Sequence, residues 1–165
     1  MSLEQTVFLR MIDYYAGDPK RIAHFVKVHS FAALIAAQEQ ADAHTRQIVS
    51  LSALVHDIGI KLSEQKYASS AGSYQELEGP PEAERLLSGI GLPTEDIERI
   101  CWLIGHHHTY NIPRELDYQI LVEADFLVNA YEDNMGEAAI VQVQDKIFRT
   151  AAGTRLLKTM FLSAR

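Results

Sequence analysis

A single cysteine, Cys101, rules out a disulfide within the chain and leaves no set of thiolates for a structural zinc site. A reducing compartment is the natural setting for such a sequence. Long apolar runs are missing too. Nothing approaches eighteen consecutive apolar residues, and no basic-then-apolar leader opens the sequence, so a cytoplasmic protein without membrane contact is expected. Positive charge is scarce: 15 Lys and Arg stand against 22 Asp and Glu, a net charge of -7. That balance argues against binding a nucleic-acid polymer, whose affinity comes mostly from Lys and Arg contacts to phosphates. It leaves room for a small anionic substrate, because a bound metal reverses the sign of a pocket locally. There is no phosphate-cradling GxxxxGK pattern, no internal repeat, no low-complexity tract and no convincing alternating strand.

What is present is helical periodicity. The 165 residues, 47% apolar and 22% charged, suit one soluble domain spanning 1–165. A chain of this length buries roughly 70% of its unfolded surface. A first amphipathic helix runs from about Leu3 to Tyr15 and ends at Gly17. Asp18-Pro19 reads as an N-cap followed by a proline where its missing N–H costs nothing, opening a helix that reaches about Ala41. A third helix covers about Thr45 to Ile58, with Gly59 as its stop. From Lys61 to Gly79 the apolar spacing fails, and a long loop, either a lid or a plain surface excursion, is expected. Helices resume at about Pro81–Ser88, then from Thr94, the expected cap, to His108, then from Glu115, after Pro113-Arg114, to Glu132. One or two more occupy Gly136 to Leu162. The fold class is all-α, a compact single-domain helical bundle.

Several polar residues fall on faces that should be apolar. His24 lies in line with Val28, Phe31 and Ile35 on the second helix. His56 and Asp57 follow the buried side marked by Ile48, Leu51, Ser52 and Val55. A carboxylate at a helix C-terminus opposes the helix dipole, so an Arg or Lys partner or a bound metal must offset it. Asp125 sits among Leu121, Val122, Val128 and Asn129, and a carboxylate in an apolar stripe is rarely buried unless paired or metal-bound. In "CWLIGHHHTY", His107 and His108 extend core faces while His106 is displaced toward Arg99 and Trp102. Each case alone fits a structural role. A shared centre of imidazole and carboxylate, the ligands expected for Mn, Fe, Zn or Ni, accounts for all of them together.

His24, then His56-Asp57, then Asp125, on successive helices, resemble the H…HD…D signature of the HD-domain superfamily of metal-dependent phosphohydrolases. "RIAHFVKV", "LVHDIGIK", "LIGHHH" and "LVEADFL" carry similar flanks, and the likeness covers about residues 21–132. The resemblance implies a helical bundle holding a divalent transition metal (Mn, Fe, Ni or Zn) on His24, His56, Asp57 and Asp125. In relatives with a second ion, an extra His and an adjacent His-His pair complete the set. His107 and His108 match the pair, whereas Glu78 stands about where the extra His would fall and is a candidate ligand only. One or two ions therefore remain open. The Lys often found after the HD pair is displaced by one, with Ile60 in its usual place and Lys61 next.

The implied activity is hydrolysis of a phosphate mono- or diester, of a nucleotide above all, by attack of metal-bound hydroxide. Asp57 would ligate the metal and orient the water or accept its proton. Lys61, and Arg21 or Lys66, would hold the phosphate's peripheral oxygens, or else simply face solvent. The alternatives are a non-catalytic nucleotide-sensing or partner-binding module and a diiron oxygenase on the same scaffold.

Overall fold

The computed structural model describes residues 1–112 and 115–162. Pro113 and Arg114, expected as the lead-in to a helix, lie outside the described residues. Among the described residues the protein is all-α, with no strand. In chain order the helices are α1 Leu3–Tyr14, α2 Pro19–Gln38, α3 Ala43–Ala53, α4 Ile60–Tyr67, α5 Gly72–Leu87, α6 Thr94–Ile104, α7 Leu116–Glu132, α8 Glu137–Ile147 and α9 Ala151–Leu157. A π-helical turn, Lys158–Leu162, follows α9.

The centre of the bundle is α7, which packs against both α2 and α3. Its buried residues run from Tyr118 to Ala130 almost without interruption, so it is covered on nearly all sides and Asp125 is inside the protein. α2 opens as expected, with the Asp18 side chain accepting from the Arg21 amide and Pro19 in the first turn. Helix α3 pairs with α2 and also meets α6, which in turn packs on α5. The buried residues of α3 include Ile48, Leu51 and Ser52, the side anticipated from its periodicity.

Several expectations are revised. The third helix stops at Ala53 rather than Ile58, because the following residues close tighter bonds, from Val55 N–H to the Ser52 carbonyl and from Ile58 N–H to the Val55 carbonyl. His56 and Asp57 therefore occupy a compact turn, not a helix. α6 ends likewise at Ile104, leaving His106, His107 and His108 in a second turn, and its cap position is Pro93, not Thr94. The stretch expected as a loop, 61–79, is mostly helical, forming α4 and the first half of α5. The inward face of α5 is Gln75, Glu78, Gly79, Glu82 and Ala83 before it reaches Leu86 and Leu87. A polar and glycine face carries no apolar period to read. Pro80 and Pro81 lie inside this helix instead of opening it.

The turn carrying His56 and Asp57 is gripped from both sides. Beneath it the buried Tyr15 hydroxyl donates to the Asp57 carbonyl at 3.0 Å and lies 3.3 Å from that of Ile58. Beyond it Gly59 abuts α5 so closely that a Cβ would lie 2.6 Å from the Gly79 amide nitrogen and 2.7 Å from the Gln75 carbonyl. Both contacts are backbone, so nothing flexible can give way. Gly59→Ala is expected to cost about 1–3 kcal/mol, typical of overpacking a tight interface, as measured by urea unfolding.

Candidate metal centre

Two helices and two turns deliver the polar groups to one place. His24 projects from the second turn of α2, His56 and Asp57 from the turn after α3, His107 and His108 from the turn after α6, and Asp125 from the middle of α7. His24, His56, Asp57 and Asp125, all buried, each offer one atom within 4.8 Å of the others, and Asp57, His107 and His108 do the same. Asp57 is common to both groups.

Each of three imidazoles has its Nδ1 occupied. His56 Nδ1 donates to the Ala53 carbonyl at 2.9 Å and His107 Nδ1 to the Ile104 carbonyl at 2.8 Å. His24 Nδ1 donates to the Glu132 carboxylate at 2.9 Å. An oxygen acceptor on Nδ1 fixes the tautomer and turns the Nε2 lone pair toward the centre, the arrangement metal-ligating histidines use.

The spacing among these Nε2 atoms and carboxylate oxygens suits a shared cation. His24 Nε2 is 3.2 Å from His56 Nε2, 3.4 Å from Asp125 Oδ1 and 3.5 Å from Asp57 Oδ2. His56 Nε2 is 3.3 Å from Asp125 Oδ1 and 3.6 Å from Asp57 Oδ2. Ligands about 2.0–2.2 Å from one ion lie about 2.8–3.6 Å apart in tetrahedral or octahedral geometry. Charged hydrogen bonds would be shorter, about 2.7–2.9 Å. Two facing imidazole nitrogens at 3.2 Å, both buried, also need a positive charge between them or a proton on one. The donor set therefore fits a divalent transition metal, as the chemistry of His and Asp anticipates.

Electrostatics agree. Burial opposes charge on His24, but Asp125 and Asp57 outweigh it and raise the imidazole to about 9. His56 is raised for the same reason, against complete burial. Burial acts to raise Asp57, yet His56 and His107 hold it below the usual carboxylate range. Asp125 is likewise held well below that range by His24 and His56 in spite of its burial. Protons thus balance the buried carboxylates where a metal ion would do so. His108 behaves oppositely: burial, with His107 beside it, lowers it to about 4. Its Nε2 lies 3.2 Å from the Gln75 side-chain oxygen, whose amide nitrogen donates to Ser70.

The cluster opens into a cavity of about 560 Å³, whose walls include Lys20, Arg21, Phe25, Tyr110, Phe126 and Asn129. Asn129 donates to Asp125 Oδ1 at 2.9 Å and braces it. Arg21 is tied to Glu64 at 2.5 Å and to Asp18 at 3.4 Å.

Other anticipated site residues fall elsewhere. Lys61 does not line the cavity; its ammonium donates to the Tyr14 carbonyl at 2.9 Å and lies over that ring. Glu78 joins neither ligand group, since Lys66 takes one carboxylate oxygen at 2.6 Å and Tyr67 the other at 2.7 Å. Lys66 is thereby committed to that pair. His106 is peripheral, as expected, stacked on Trp102 with its Nδ1 on the Trp102 carbonyl. Glu132 is the residue that sequence reasoning passed over, although its position seven after Asp125 places it on the same helix face. Gln75 and Tyr110 had no signal at all, because only the packing of α5 and the turn after α6 brings them to the cavity.

Comparison with known proteins matches the HD domain family model over residues 21–149. Among solved structures, a predicted HD superfamily hydrolase from an uncultured Thermotogales bacterium superposes with a TM-score of 0.67 at 25% identity. The alignment covers 94% of this chain and 83% of that one. A search of curated proteins found no match. The family match spans most of the chain and includes His24, His56, Asp57 and Asp125 in the expected order, so the protein belongs to the HD-domain family.

Proposed function

We propose that the protein is a metal-dependent phosphohydrolase, active in the cytoplasm on a small phosphate mono- or diester, a nucleotide above all. The observation that carries this reading is the convergence of three locked imidazole Nε2 atoms with the carboxylates of Asp57 and Asp125 at the floor of an open cavity. The similar solved structure bears the name of a hydrolase, which supports the same reading. His24, His56, Asp57 and Asp125 would hold one ion, and Asp57 with His107 and His108 has the composition for a second. A divalent ion there supplies Lewis-acid polarisation of a phosphoryl oxygen and lowers the pKa of water to roughly 7.

The chain's own residues supply the rest. Asp57 stays ionised and touches both ligand groups, so it can orient the attacking water or accept its proton. Lys20, together with the anticipated Arg21, stands on the cavity wall in place of Lys61, and these two would meet the phosphate's outer oxygens. Phe126 and Tyr110 offer apolar and aromatic surface to the organic part of the substrate and limit water around the phosphate. A volume of about 560 Å³ suits a ligand of nucleotide size.

Asp57→Ala is expected to lower hydrolysis of a generic phosphoester by at least about 10²-fold at unchanged helicity, measured by steady-state rates alongside circular dichroism. Elemental analysis of the purified protein should find one or two transition-metal ions per chain, and a metal-replete protein inert on a broad phosphoester panel would count against the proposal. Because His24 keeps its proton up to about pH 9 without metal, a cation must displace it. Metal affinity should therefore rise with pH toward 9 and fall by about tenfold per pH unit below it for each proton displaced. Calorimetric titration in buffers of different ionisation enthalpy will count the protons released at pH 7.

A further inference from the structure

The three imidazole locks differ in kind. His56 and His107 sit in turns, and each donates Nδ1–H to a carbonyl three residues earlier, Ala53 or Ile104. Those acceptors are backbone and cannot be lost by side-chain change. His24 is in the interior of α2, where neighbouring carbonyls already accept helical amides. Its acceptor must come from another element, and Glu132 provides it from the last turn of α7.

Glu132 is itself held. Lys27, one turn beyond His24 on α2, donates to Glu132 Oε1 at 2.5 Å, which leaves Oε2 to face His24 Nδ1 at 2.9 Å. The Lys27 ammonium also lies 5.7 Å from the centre of the Tyr131 ring. Among the described residues, this Lys27–Glu132–His24 chain leads from a partly exposed ammonium to a buried nitrogen of the cluster. It also ties α2, which carries His24, to α7, which carries Asp125, so two candidate ligands on different helices are set at one distance by one carboxylate.

We infer that Glu132 is a positioning residue for the metal centre: it fixes the tautomer and ring orientation of His24, while Lys27 fixes the carboxylate. The inference rests on the metal-centre reading but not on hydrolysis. Removing an outer hydrogen-bond partner of a metal-ligating histidine typically weakens metal affinity by about 10–100-fold.

The test is Co²⁺ binding alone, followed by calorimetry and by the visible ligand-field bands, with thermal unfolding of each metal-free protein as the check on folding. Glu132→Ala is expected to weaken Co²⁺ binding by about 10–100-fold. A double variant, Lys27→Met with Glu132→Gln, frees an amide oxygen to accept from His24 and should stay within about threefold of wild type. Wild-type affinity in Glu132→Ala overturns the proposal. Equal loss in the double variant also overturns it, because charge rather than the hydrogen bond would then be responsible. A measurement without any variant stands beside these. In the Zn²⁺-loaded wild type, nitrogen-15 NMR should show His24 with its proton on Nδ1, and the opposite tautomer refutes the assignment. A wild type that binds neither ion removes the metal-centre reading together with this one. Failure to hydrolyse phosphoesters touches only the proposed function.

Discussion

The structure depends on the neutralisation of two carboxylates buried inside a helical bundle. Asp57 and Asp125 are both nearly inaccessible, and an isolated buried carboxylate is prohibitively unfavourable. Three imidazoles surround them, and for His24, His56 and the two carboxylates the mutual attraction outweighs burial. The bundle must therefore keep α2, α7 and the two turns in register. Loss of any one of these groups leaves an uncompensated charge in the interior, so the elements that carry the cluster are bound to one another by it.

Turns and helices contribute in different ways. A histidine in a turn can use the free carbonyl at the end of the helix just before it, as His56 uses that of Ala53 and His107 that of Ile104. The turn must then be held from outside, and Tyr15 below and the Gly59–Gly79 contact beside it hold the turn of His56 and Asp57. A helix interior is rigid but its amides and carbonyls are already paired, so His24 takes its acceptor from Glu132 and Asp125 its donor from Asn129. The price of a helical ligand is an additional partner side chain.

The cavity inherits its chemistry from this arrangement. Its floor is the cluster, and its wall sets Lys20 and Arg21, at the start of the helix that also carries His24, beside Asp18, Glu132 and Asp133. Gln75 and Ser70 reach it from α5 and the turn before it. Without the extension of α5 back to Gly72, that wall would have no fixed position. Gly72 permits the approach, since a Cβ there would lie 2.9 Å from the His108 ring.

Periodicity along the chain is enough for the all-α class, for the frame of α1, α2 and α7, and for grouping His24, His56, Asp57 and Asp125 as candidates. Each of these polar residues interrupts or extends an apolar face, and period 3.6 makes such an interruption visible. The pair His107 and His108 was legible on the same basis. Tertiary structure alone decided the rest. α4 and most of α5 were invisible because they bury Ser63, Gln75, Glu78 and Gly79, residues without hydrophobic signature. Glu78 and Lys61 were misplaced because the ion pair with Lys66 and the bond to the Tyr14 carbonyl depend on how helices meet. Glu132 lay on a legible face, but its hydrogen bond to a histidine 108 positions away did not. Periodicity records which side of a helix is buried; only packing in three dimensions chooses the partner of a buried polar atom.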